Sequence, residues 1–203
     1  MARGPFIALE GIDGTGLSTQ ATILHRHLSS RTSAILTKEP TDGSVGKAIR
    51  AALSPDGVPL TEEAMALLFA ADRAIHASSV ILPSLSHGTA VVTDRYLLSS
   101  YAYQSVALDL DWLVAINRNA PAPDVTVVVT VDPSLALERI AERYHRERYE
   151  ERPHLERVLE NYLWLAERLG DTMDIRIVDG MGSIDEVAER LWEVVLPLIP
   201  QDD

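Results

Sequence analysis

Phe6-Ile7-Ala8-Leu9-Glu10 runs directly into Gly11-Ile12-Asp13-Gly14-Thr15-Gly16-Leu17-Ser18, and this stretch decides the fold. A short strand-like run meets a loop with three glycines in eight positions, and a helical pattern follows from about Ser18 to Ser29. The loop has the G-x-x-x-x-G-K-[ST] spacing of a phosphate-binding loop at every position but one. Glycines let the backbone curl so that its N–H groups point inward, and the helix N-terminus adds its positive dipole end. Gly11, Ile12, Asp13, Gly14, Thr15, Gly16, Leu17, Ser18 and Thr19 are therefore the expected polyphosphate cradle, with Ser18 placed to ligate Mg²⁺. The exception is Leu17, where the motif has lysine. A dinucleotide fingerprint competes, with Glu39 at the end of the second strand as its ribose-binding acid. The glycine order here, however, is G-x-x-G-x-G rather than G-x-G-x-x-G.

Outward from this loop, β-rich runs alternate with helical patterns, which argues for a parallel α/β sheet. Strands are expected at 6–10, 34–37, 89–93, 125–131 and 175–178, and Val125 to Val131 contains only Val and Thr, the pattern of a strand buried on both faces. Helices are expected at 44–53, from Thr61 as N-cap to Gly88, at 99–106, 111–118, from Asp132-Pro133 into the charged stretch, on to Leu169, and from Ile184 to about Leu196. On the long helix Ala64, Leu67, Leu68, Ala71, Ile75 and Leu82 share a 3.6-period face, and Gly88 ends the run. No linker interrupts the pattern, so residues 1–203 read as one domain.

At 203 residues with 46% hydrophobic content the chain can bury a sizeable core, and disordered or collagen-like classes are excluded. The longest uninterrupted apolar run, Ala64 to Ala71, falls well short of a membrane span. Met1-Ala2-Arg3-Gly4-Pro5 has no signal-peptide or lipidation pattern, so a soluble cytoplasmic protein is expected. There is no cysteine, hence no disulfide, thiolate nucleophile or Cys-based zinc site. The net charge of −12 disfavours nucleic acid and anionic membranes as partners. An anionic ligand would need a locally basic site. Since Lys38 and Lys47 are the only lysines, that site would be built mainly from guanidinium groups, which suit bidentate phosphate contacts.

Asp94-Arg95-Tyr96 follows the third strand directly. An acid at a strand's carboxyl end beside a phosphate loop is placed to hold Mg²⁺ or its water shell. Taken together with other segments, these residues resemble the thymidylate kinase family. The opening Phe6-Ile7-Ala8-Leu9-Glu10-Gly11-Ile12-Asp13-Gly14 is similar to the family's, and Lys38-Glu39-Pro40 resembles its R-E-P segment with Lys for Arg. Leu68-Phe69-Ala70-Ala71-Asp72-Arg73, Asp94-Arg95-Tyr96 and Ser99-Ser100-Tyr101-Ala102-Tyr103-Gln104 follow in the family's order, and Pro123-Asp124 and Arg148-Tyr149-Glu150 also fit.

The resemblance implies a three-layer P-loop kinase fold: a five-stranded parallel sheet, helices on both faces, and a helical or loop lid at about residues 143–152. It implies Mg²⁺-dependent transfer of the ATP γ-phosphoryl group to dTMP, in a homodimer. Phe69 and Arg73, one helical turn apart, would stack on the thymine and donate to its carbonyl, and their face is expected to lie away from the Ala64/Leu68/Ile75 stripe. Ser100, Tyr103 and Gln104 would meet the base and the deoxyribose, where Tyr103 excludes a 2′-hydroxyl. Asp13 and Lys38 would sit near the acceptor's sugar and phosphate, and Arg95 would grip the phosphate.

Arg139, Arg143 and Arg146 follow i, i+4, i+7 spacing and continue into Arg148 and Arg152 among like-charged neighbours. A segment so balanced is marginal until polyphosphate arrives, as a closing lid requires. Asp13, Lys38, Arg95, Arg143 and Arg148 thus form the expected catalytic group, with Ser18 and Asp94 at the metal. Leu17 keeps a second reading open, a catalytically weak nucleotide-binding homologue. A leucine beside polyphosphate would desolvate it without compensation, so Leu17 is expected to turn into the space between the first helix and the sheet.

Overall fold

The structure is a computed structural model that describes residues 3–141, 152–170 and 172–199. β1 (Phe6–Glu10), β2 (Ala34–Lys38), β3 (Ala90–Asp94), β4 (Val125–Thr130) and β5 (Ile175–Asp179) form one sheet in the order β2-β3-β1-β4-β5, parallel throughout. The expected α/β architecture of five parallel strands between helical layers is the observed one. Helices are α1 (Leu17–Ser29), α2 (Ser44–Leu53), α3 (Glu62–His76), α4 (Leu82–Ser86), α5 (Leu97–Gln104), α6 (Leu110–Asn117), α7 (Pro133–Ala141), α8 (Arg152–Leu169) and α9 (Ile184–Val195). A five-residue π-helical turn, Ala77–Ile81, joins α3 to α4.

Strand alternation builds the layers. Phe6 and Ala8 of β1 face a cluster with Ala66 of α3, Leu98 and Ala102 of α5, Leu113 of α6, and Val158 and Tyr162 of α8. Ile7 and Leu9 face the opposite cluster, with Leu17, Ala21, Leu24 and Leu28 of α1 and Val187, Leu191 and Val195 of α9. A central parallel strand covered on both sides has no water-facing side, which is why β1 and β4 read as continuous apolar runs. The chain leaves β1 toward β3 and β2 on one side and later adds β4 and β5 on the other. The crevice at this switch point opens at the carboxyl ends of the strands. Register places Leu9 opposite Asp94, and Asp94 opposite Lys38, so three strand ends finish level beside the glycine loop.

The apolar 3.6-period face of the long helix is not the face that the fold buries. Met65, Ala66, Asp72, Arg73 and His76 are the buried residues of α3, whereas Leu67, Ile75 and Leu82 are 51%, 54% and 49% exposed. Ala71 is also exposed, and Ala64 and Leu68 are half-buried. Periodicity treats polar residues as water-facing, but here the polar side chains have buried partners, so the polar face is the inner one. The reading of the chain as lacking a membrane-length segment also needs amendment. Glu62–Ser86 is helical over 25 residues with a window of mean hydropathy 1.4, long and apolar enough to span a bilayer. Its buried Asp72, Arg73 and His76 are paired within the domain.

β1 is anchored at its start by Asp124, whose Oδ2 accepts the Phe6 N–H at 2.7 Å while Oδ1 pairs with Arg3 at 2.7 Å. Phe6 is fully buried, so loss of the acceptor strands its N–H. Asp124→Ala is expected to lower unfolding free energy by about 1–3 kcal/mol in a denaturant titration, and Asp124→Asn, which keeps an acceptor, by less. Equal midpoints for Asp124→Ala and wild type would show that the anchor contributes nothing.

Candidate active site

The glycine loop takes its shape from two left-handed residues, Gly14 and Gly16, each at φ 85°. Gly14 is also a point of close approach: a Cβ there would lie 2.3 Å from the Ala136 carbonyl oxygen of α7. Thr15 Oγ1 donates to the Ile12 carbonyl at 2.7 Å and closes the turn from inside. α1 then starts without a side-chain cap, leaving its first N–H groups available to an anion. Arg139 of α7 reaches the loop and donates to the Gly14 carbonyl at 3.3 Å.

Residues Ile12 to Ser18 line a cavity of about 220 Å³ with Lys38, Arg50, Asp94 and Arg95. Ser18 Oγ donates to Asp94 Oδ2 at 2.5 Å at its edge. Lys38 pairs with Asp42 at 3.4 Å and is half exposed. Thr19 is exposed and does not line the cavity. Leu17 is 5% exposed and packs among Ile7, Leu9, Val129, Val178 and Val187. It has turned into the layer between α1 and the sheet.

Arg95 projects between this cavity and a neighbouring one. Its backbone lies at φ 67°, a region that costs a non-glycine residue on the order of 1–3 kcal/mol. The flanking bonds hold it there. Arg95 N–H donates to Leu9 O at 2.9 Å, Thr93 Oγ1 donates to Arg95 O at 2.7 Å, and Tyr96 N–H donates to Glu10 Oε1 at 3.1 Å. The guanidinium donates to Gly11 O at 2.8 Å, to Asp13 Oδ1 at 2.6 Å and to Ser99 Oγ at 3.3 Å. Tyr103 completes the unit, donating to Asp13 Oδ2 at 2.9 Å and accepting the Asp13 N–H at 3.0 Å. Burial pushes the Tyr103 phenol well above its ordinary range, so the hydroxyl stays neutral and can donate.

Glu10 lies beneath, buried, accepting from Ser99 Oγ and from Tyr162 OH of α8 at 3.2 Å. Desolvation raises its pKa, against the opposing pull of the Ser99 hydrogen bond and the Arg95 charge.

The neighbouring cavity, about 110 Å³, brings Asp13, Phe69, Arg73, Arg95, Ser100, Tyr103 and Gln104 together, with Pro40, Leu53 and Met65 on its apolar side. Arg73 lies off the Ala64/Leu68/Ile75 stripe, as expected, but on the buried face of α3, where it is 1% exposed. Its Nε donates to Glu39 Oε2 at 2.9 Å and its Nη1 to Asn117 Oδ1 at 2.5 Å. Nη2 donates to Tyr96 O at 3.1 Å and to Ser100 Oγ at 2.8 Å. These four bonds leave one of its five N–H groups, on Nη1, for a ligand. Gln104 Oε1 is buried and has no hydrogen-bond partner among the described residues. Glu39 is held by Arg73 and His76, so it is not a free ribose-binding acid, and the dinucleotide reading falls.

Arg143, Arg146 and Arg148, with most of the expected lid, lie outside the described residues. Sequence reasoning missed Glu10, His76, Asn117 and Tyr162. His76 offered a signal, being three residues from Arg73 on a helix whose polar residues recur at 72, 73 and 76; Asn117 offered none.

A phosphate loop at a switch point, an acid and an arginine on the next strand end, and an apolar-walled pocket with a second arginine define a nucleoside monophosphate kinase. The sequence model of the thymidylate kinase family matches residues 9–191. A relative from Pyrococcus horikoshii, named a probable thymidylate kinase, is 43% identical over 200 residues, covering 95% of this chain and 96% of its own. One from Methanococcoides burtonii, named likewise, is 34% identical and covers 97% and 98%. The solved thymidylate kinase of Candida albicans superposes with a TM-score of 0.84 at 32% identity, covering 97% of this chain and 93% of that one. The chain belongs to the thymidylate kinase family.

Because the Glu10 pKa is higher in the fold than in the unfolded chain, its contribution to stability is present below the ordinary carboxylate value and is lost as pH rises through the folded value. Wild type is therefore expected to lose melting temperature relative to Glu10→Gln as pH rises above 4.5. Parallel melting curves from pH 4 to 8 would contradict the burial argument.

Proposed function

We propose that this protein transfers the γ-phosphoryl group of ATP to dTMP, giving dTDP and ADP. The observation that carries the acceptor assignment is the pairing, in one apolar-walled cavity, of a spare Arg73 N–H with the unpartnered Gln104 Oε1. A donor beside an acceptor complements the O4 and N3–H edge of thymine, and cytosine presents the reverse. Phe69 offers a ring face to the base, and Leu53 and Met65 suit its methyl group. Tyr103, tied to Asp13, stands where the deoxyribose would enter and is read as the group that excludes a 2′-hydroxyl.

Arg95 takes the acceptor phosphate in this reading, sliding from its contacts with the Gly11 carbonyl and Asp13. The loop N–H groups hold the ATP phosphates. The acceptor oxygen is already anionic, so positioning and charge neutralisation suffice and no general base is needed. Ser18 and Asp94 offer adjoining hard oxygen donors, a set that fits Mg²⁺. When bound, that ion neutralises charge on the β- and γ-phosphate oxygens. Arg139 is already at the loop, and Lys38, Arg143 and Arg148 are the other cations proposed to stand in for the missing lysine, with a lid arginine preferred because its fork spans two oxygens. The burial of Leu17 also supports a second reading, a nucleotide-binding homologue with weak catalysis. The working compartment proposed is the cytoplasm, with small nucleotides rather than nucleic acid or membrane as partners.

ADP release measured with dTMP, dUMP, UMP and no acceptor separates the two readings: brisk dTMP-dependent release supports the kinase, and release no faster than without acceptor contradicts it. Arg73→Ala would strand Glu39, Asn117 and Ser100, so Gln104→Met is the cleaner probe of the pocket. It should raise the KM for dTMP about tenfold while leaving the KM for ATP within about twofold, the effect of one lost buried hydrogen bond. Equal changes in both would overturn the pocket assignment.

We also propose that a second copy of the chain covers the outward stripe of Leu67, Ala71, Ile75 and Leu82, a run of apolar side chains on one helical face that the described residues leave exposed. Ile75→Glu is expected to shift the mass in light scattering from dimer to monomer, and an unchanged mass would place the interface elsewhere.

A further inference from the structure

Resting on the thymine reading of the Arg73 cavity, we infer that His76 is a positioning residue for base recognition, acting on the substrate only through Glu39 and Arg73. His76 closes α3, one turn beyond Arg73, where the helix widens into its π-helical turn. Its ring spans two elements. Nδ1 meets Glu39 Oε1 at 2.9 Å, and Nε2 meets Thr37 Oγ1 of the edge strand β2 at 2.7 Å. A carboxylate only accepts, so Nδ1 carries the hydrogen toward Glu39. The other Glu39 oxygen takes the Arg73 Nε–H at 2.9 Å.

In the chain Thr37–His76–Glu39–Arg73 the side chains of His76, Glu39 and Arg73 are 1%, 3% and 1% exposed. So little exposed, each of these three relies on its protein partners, and each link constrains the next. With His76 in place, Glu39 turns one oxygen to each neighbour, and the oxygen facing Arg73, Oε2, lies 2.9 Å from both Nε and Nη2. Asn117 and Ser100 fix the remaining directions of the guanidinium, and Arg73 lines the cavity with one Nη1 N–H not used by these bonds. Without the imidazole, Oε1 has no partner and Glu39 gains by swinging both oxygens onto Arg73, the bidentate arrangement that carboxylate and guanidinium prefer. That swing rotates the fork and moves the spare N–H away from the base. His76 makes no hydrogen bond to Ser18, Asp94, Arg95 or the glycine loop among the described residues, so its effect is expected on acceptor recognition rather than on ATP.

Three variants separate this role from general packing. His76→Leu removes both bonds, His76→Asn puts an amide N–H where Nδ1 stood, and His76→Gln places its amide at the Nε2 end. The expected result in steady-state kinetics is a KM for dTMP about tenfold higher in His76→Leu, with the KM for ATP and kcat within about twofold. His76→Asn should return the dTMP KM to within about threefold of wild type, and His76→Gln should not. Melting temperatures recorded on the same samples identify any variant whose loss is one of folding. An unchanged dTMP KM in His76→Leu, matched losses for dTMP, ATP and kcat, or a better rescue by Gln than by Asn would each overturn the assignment. Wild type that turns over no dTMP would overturn the thymine reading itself, whereas wild type active on dTMP with His76→Leu unaffected overturns only the role of His76.

Discussion

Two arginines enclosed with carboxylates are the constraint on which the rest of the site depends. Arg73 is held by Glu39, and Arg95 by Asp13 with Glu10 beneath it. Neither pairing is an efficient way to stabilise a domain, because desolvating two charges costs several kcal/mol per ion before their attraction is counted. What the pairs supply is direction. Each guanidinium is held by several acceptors, so its remaining donors point where the backbone and carboxylates set them. The same acceptors explain the architecture around them: a helix whose polar face turns inward, a non-glycine residue in a left-handed conformation, and an acid at the end of the central strand with no access to water.

That inward polar face is also where the sequence was hardest to read. The five strands, their parallel α/β arrangement and the glycine loop follow from the alternation of β-rich and helical runs and from glycine spacing, signals tied to backbone geometry, whereas the strand order β2-β3-β1-β4-β5 is visible only in the structure. Asp13, Arg95, Ser100, Tyr103 and Gln104 were identifiable because they sit in compact motifs next to those elements. The face of α3 was not, because hydrophobic periodicity carries no information about whether a polar residue has a partner 30 or 40 positions away. Asp72 finds Thr41, Arg73 finds Glu39 and Asn117, and His76 finds Thr37 and Glu39. These long-range pairs outweigh the apolar stripe, which is left facing outward.

Leu17 shows the same logic at the phosphate loop. Lysine at this position normally contributes charge, but the local backbone is set by Gly14, Gly16 and Thr15, and none of these depends on it. Replacing the ammonium by an isobutyl group thus leaves the cradle standing while moving the side chain into the core between α1 and α9. The loop retains its N–H groups and has no lysine charge at this position, and compensation by guanidinium groups, the cations in which this chain is rich, is part of the proposal.

The central claim is that Arg73 and Arg95 are prearranged to take a thymine base and its phosphate together. Calorimetric titration of the wild-type protein with dTMP, dCMP and thymidine tests it directly. The account predicts that dTMP binds at least about tenfold more tightly than either analogue, since dCMP opposes the donor–acceptor order of Arg73 and Gln104 and thymidine leaves Arg95 without an anion. Binding of dCMP or thymidine as tight as that of dTMP would contradict it.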